Sequence, residues 1–83
     1  MSWTEKVGGI KNLFVFLEDW KTRGDIMNNF DLSNTESWHA IQWLKKMKQD
    51  VMVQKKGGIT KRAMFFKTRA STIKLAVSPE EAN

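Results

Sequence analysis

With 83 residues, 41% of them hydrophobic and 28% charged, the chain is sized for one small domain with a modest core, which excludes a large enclosed active site. Cysteine is absent, so disulfides, thiolate zinc sites, iron–sulfur clusters and thiol catalysis are excluded together, a composition that suits a reducing cytosol. The formal net charge of +5 favours polyanionic partners, and no apolar run approaches the roughly 20 residues of a membrane span.

Met1-Ser2-Trp3-Thr4-Glu5 lacks a basic lead ahead of an apolar stretch, so no signal peptide is expected. Ser2-Trp3-Thr4-Glu5 has the form of a capping box, and Trp3, Val7, Ile10, Phe14 and Leu17 follow at helical spacing. This predicts a first helix from about Trp3 to Asp19. Gly8 and Gly9 inside it each cost on the order of 1 kcal/mol relative to alanine, which leaves a start at Ile10 as the alternative. Leu13 to Leu17 is apolar on every side; either the chain covers two faces of this helix itself, or one face meets another subunit.

Thr22-Arg23-Gly24-Asp25 forms a second, weaker box before a short helix with Ile26, Met27 and Phe30 on its apolar face. Asn28, Asn29 and Asp31 favour a turn, and a tight corner plugged by Leu32 then leads to a third box, Ser33-Asn34-Thr35-Glu36. That is helix-turn-helix spacing. The third helix is predicted from Asn34 to about Lys48, with Ser37, Ala40, Ile41, Leu44 and Met47 facing inward. Thr35, Trp38, His39, Gln42, Lys45 and Lys46 fall on the opposite face. Trp43 lies on the edge and is assigned to core or hairpin packing.

Val51-Met52-Val53 and Ala63-Met64-Phe65-Phe66 are β-prone runs joined by a segment that carries Lys55, Lys56, Lys61 and Arg62 around a glycine tip. Together these elements predict an α+β domain over residues 1–70: three helices followed by a two-stranded hairpin. Residues 71–83 are read as a C-terminal extension, partly disordered, in which Thr72, Ile73, Leu75 and Val77 make either a short strand or a helical turn.

This order of parts resembles the winged helix-turn-helix DNA-binding regulators, including the small pilus phase-variation regulators of enteric bacteria. The resemblance covers about Trp3 to Phe66. It rests on Asp25-Ile26, then Phe30-Asp31-Leu32-Ser33, then Ile41 with Leu44-Lys45-Lys46-Met47, then Val51-Met52-Val53. It implies a third helix in the major groove and a hairpin wing on the DNA backbone. Trp38, His39, Gln42 and Lys46 then read bases, while Asn34, Thr35, Lys45, Lys55, Lys56, Lys61 and Arg62 contact the backbone. The family usually ends its reading helix with glycine; here Lys48-Gln49-Asp50 fills that bend.

The chemistry of these residue types agrees. A Gln42 amide can pair with both N6 and N7 of adenine, and Asn34 and Thr35 stand at a helix amino end, where backbone N–H groups and the helix dipole favour phosphate. So few readers specify only three or four base pairs per subunit, so a homodimer or protein partner is expected to complete the site. His39 is the only histidine, which argues against a metal site and against a catalytic triad, and Gly57-Gly58-Ile59-Thr60-Lys61 lacks P-loop spacing.

The reading is thus a non-enzymatic transcription regulator of duplex DNA, bacterial or phage-like in scale, cytoplasmic and nucleoid-associated, with no cofactor. Two other readings stay open: a winged-helix protein-interaction module, such as a phage-encoded modulator of a host protein acting through Trp38 and the first helix, and a binder of RNA or of recombination or packaging DNA. The duller account of each feature also stands: a solvated helix face for Gln42, Lys45 and Lys46, core cover for Trp38, and aggregation-blocking edge charge for the wing lysines.

Overall fold

The computed structural model describes residues 2–55 and 64–77. Their elements run α1 (Trp3–Lys6), α2 (Ile10–Phe16), β1 (Lys21–Thr22), α3 (Arg23–Phe30), α4 (Asn34–Lys46), β2 (Val51–Lys55), β3 (Met64–Thr68) and α5 (Ala70–Val77). The result is a small α+β fold with one antiparallel sheet of strand order β1-β3-β2.

The single first helix expected from Trp3 to Asp19 is replaced by two helices. Gly8 and Gly9 adopt φ of +80° and +96°, a region that L-residues reach only with strain, and the backbone turns there. Asn12 fixes the new start by donating from Nδ2 to Val7 O at 2.6 Å. The apolar stripe survives the break: Val7 and Leu17 are fully buried, and Trp3 and Phe14 pack against the core. The other faces of α2 are covered from within the chain: Phe14 stacks on Trp43 at 5.8 Å, Phe16 meets Phe30 edge-on at 5.0 Å, and α5 packs alongside.

The sheet has three strands where two were expected. β1 is only two residues long and pairs Lys21 with Phe66 and Thr22 with Phe65; such a piece is too short to show an alternation in sequence. Thr22 ends the strand and also caps α3, accepting from Asp25 N–H at 3.1 Å while its own N–H donates to the Asp25 carboxylate at 2.9 Å. β3 therefore lies in the middle, and its Phe66 and Thr68 are buried. Thr68 also fastens the sheet to α2, through its N–H to Leu17 O and its hydroxyl to Phe14 O.

The corner between α3 and α4 forms as the sequence indicates. Asp31 takes a left-handed φ of 54°, tolerated by aspartate better than by most residues, and Leu32 N–H closes back on Met27 O. Leu32 is buried beneath the turn. Ser33 accepts from Glu36 N–H and Glu36 accepts from Ser33 N–H, so the capping box starts α4 where expected. Ser37, Ala40, Ile41 and Leu44 are buried and Met47 packs against the core.

Residues 71–77 are helical rather than extended, as part of α5, and Thr72 is buried; residues 78–83 of the expected extension lie outside the described residues. The bend at Lys48-Gln49-Asp50 forms without glycine or a left-handed residue. It is held instead by Val51 N–H to Met47 O and by the junction before α5: Arg69 donates from its backbone N–H to Asp50 O and from Nε to Lys48 O, and the Thr72 hydroxyl bonds the Asp50 carboxylate at 2.9 Å.

Candidate nucleic-acid interface

α4 owes its outward face to its phase. With the inner positions fixed by burial, Thr35, Trp38, His39 and Lys46 are left exposed, and Gln42 and Lys45 half-exposed. Trp38 has 51% of its surface open to solvent and touches His39 edge-on at 5.4 Å, so it does not fold over α3 as core cover. Trp43 packs between Trp3 and Phe14, both at 5.8 Å.

These residues divide between three hollows. Trp38, His39, Gln42 and Lys46 line a cleft with Trp3 and Trp43, between α1 and α4. On the other side of the same ridge, Trp38, Gln42 and Lys45 line a smaller hollow with Arg23, Ile41, Met64 and Phe66. Beyond the end of α4, Lys45 and Lys55 come together with Lys48 and Arg69 around a groove whose apolar lining includes Val51, Val53 and Met64. Lys45 and Lys55 are thus brought together by the fold, joined by two cations that sequence reasoning did not select. Lys56, Lys61 and Arg62 lie outside the described residues, as does the glycine tip.

At the amino end of α4 the arrangement is more crowded than expected. The Asn34 side-chain carbonyl accepts from Arg23 Nη2 at 2.6 Å, and Asn34 O accepts from the same nitrogen at 3.1 Å. Arg23 Nε donates to the buried Ser37 hydroxyl at 2.9 Å, which in turn donates to Asn34 O. Arg23 therefore ties α3 to the first turn of α4. Sequence reasoning missed it because it stands inside a capping box, where its only apparent part was to occupy the first helical position.

Glu36 adds a negative charge to this turn. The Ser33 N–H first, and then the Lys6 ammonium at 2.9 Å, hold its carboxyl below the ordinary carboxylate range. Lys6 balances that charge, so an anion approaching the exposed Thr35 meets a neutral pair rather than a bare carboxylate.

Among the described residues, no group of three histidine or acidic side chains is placed to hold a metal ion, and no helix is long and apolar enough to cross a membrane. Comparison with protein-family models, with curated proteins and with solved structures finds no match for this chain.

Proposed function

We propose that this chain is a small transcription regulator that binds duplex DNA in the manner of a winged helix-turn-helix protein, with α4 in the major groove and the β2–β3 hairpin on the backbone. The observation that carries this reading is the groove in which Lys45 of α4, Lys48 of the bend, Lys55 of β2 and Arg69 surround one hollow. Four cations from four separate parts of the chain, converging beside an exposed helix face that carries Gln42 and Lys46, make a surface matched to phosphate next to a surface matched to base edges. A merely solvated face has no need of that convergence, since scattered charges keep a domain soluble equally well.

In this arrangement Gln42 supplies the bidentate contact to adenine and Lys46 a donor to guanine or phosphate. The hairpin cations position the domain without reading sequence. Sites selected from random duplex DNA supply the test. Gln42→Ala should cost about 1–3 kcal/mol on the selected site and little on random DNA. Equal losses on both would make Gln42 a backbone contact, and failure to select any site would remove sequence-specific regulation.

A further inference from the structure

The cleft between α1 and α4 holds, beside Gln42 and Lys46, an indole that a base-edge reader does not need. Trp38, His39, Gln42 and Lys46 share it with Trp3 and Trp43, around an open hollow of about 410 Å³. Trp38 is the difficulty for a plain duplex reading. An indole offers one N–H donor and no acceptor, so it discriminates base edges poorly, yet it is held half in water at the centre of the helix face. Of the neighbouring indoles, Trp43 packs between Trp3 and Phe14 instead of against Trp38.

Trp38, Gln42 and Lys46 follow one another at intervals of four residues, so they form a row along α4 with steps of about 6 Å. The row presents a flat π-face, then a side chain that both donates and accepts, then a cation. Each member supplies one contact that an unstacked base in a strand can use: stacking on its ring, hydrogen bonding at its edge, and charge pairing with a phosphate of the strand. We propose that this cleft binds one unstacked nucleobase of a single strand or an opened duplex, with Trp38 stacking on the ring, Gln42 bonding its edge and Lys46 pairing with a phosphate elsewhere on the strand. The inference rests on α4 facing nucleic acid but not on the duplex being intact. It gives the protein a preference for bases that are splayed, bulged or single-stranded, a recognition that hydrogen bonding in the major groove does not supply.

The test measures anisotropy and tryptophan fluorescence of the full chain against four probes: a labelled oligothymidine, an oligouridine, an abasic strand of the same length and charge, and an intact duplex. The base-bearing strands should quench fluorescence and bind at least tenfold more tightly than the abasic strand. Trp38→Ala should remove that advantage, while Trp38→Phe, which keeps a π-face, should retain most of it. Lys46→Ala should lower the salt slope on oligothymidine by about 0.7, the value for one phosphate contact on a single strand. Comparing oligothymidine with oligouridine tells whether DNA or RNA is the natural source of the base. Equal binding of abasic and base-bearing strands, or an unaltered advantage in Trp38→Ala, would overturn the proposal. Strand binding without duplex binding would uphold this cleft and remove the duplex reading, whereas duplex binding with no preference for bases would do the reverse.

Discussion

Arg23 shows how one side chain sets the geometry of the helix pair. Its guanidinium reaches the Ser37 hydroxyl, Asn34 O and the Asn34 side chain, three acceptors on the first turn of α4, from a position at the start of α3. Bonds from a charged donor are worth more than neutral ones, although two of these three are open to water. Arg23→Ala should therefore lower stability by about 1–3 kcal/mol, seen as a shifted urea midpoint with an unchanged slope. A midpoint equal to that of the parent protein would show that Arg23 does not hold α3 and α4 together. Glu36 gives a second residue-scale expectation, this time in pH. Its carboxyl is held below the ordinary range by the Ser33 N–H and Lys6. The stability it contributes is thus present above the ordinary carboxylate pKa and is lost as pH falls through the lowered value. Thermal midpoints of the parent and of Glu36→Gln should differ near neutrality and converge in acid; a difference that does not change with pH would assign the effect to the cap geometry alone.

At the scale of elements, the break at Gly8-Gly9 has a test whose sign separates the two readings of the first helix. If the chain runs helical from Trp3 onward, replacing either glycine by alanine should stabilise the protein by about 1 kcal/mol. With φ of +80° and +96°, both replacements should instead destabilise it by about 1 kcal/mol or more. At Gly8 the new Cβ also meets Asn12 Nδ2 at 3.0 Å, whereas at Gly9, where nothing lies within 4 Å, the cost is the backbone's, since φ +96° with ψ 161° is a region essentially confined to glycine. Chemical denaturation of the two variants decides it, and stabilisation by both would contradict the broken helix.

The same elements show where sequence reasoning succeeded. α4 was legible because three signals agree there: the Ser33–Glu36 box, the period of Ser37, Ala40, Ile41 and Leu44, and the turn residues before it. β1 was not, since two residues carry no period and its partner Phe66 lies far along the chain. α5 was ambiguous because a short run holding Thr72, Ile73 and Leu75 suits a strand as well as a helix; what decides it is packing against α2 and the Thr72 bond to Asp50. The bend after α4 is likewise a tertiary product, in which Arg69 does the work that glycine would do locally. Of the candidate site, the exposed row on α4 could be read from phase alone, but Lys48 and Arg69 could not be joined to Lys45 and Lys55 without the fold.

Over the whole molecule, four of the fourteen cations are gathered at one place. Lys45, Lys48, Lys55 and Arg69 gather around one groove next to the face of α4, while the acidic Glu36 and Asp25 are engaged in helix caps. A polyanion that approached this side would meet cations carried by separate elements. The most direct measurement is the salt dependence of duplex binding, with the full chain and with Lys45→Ala/Lys48→Ala compared on one random-sequence duplex. The account predicts measurable binding at low salt for the full chain, and a slope of log affinity against log salt that falls by about 0.9 for each phosphate contact removed, hence by up to about 1.8 in the double variant. No duplex binding at low salt, or an identical slope in the two proteins, would contradict it.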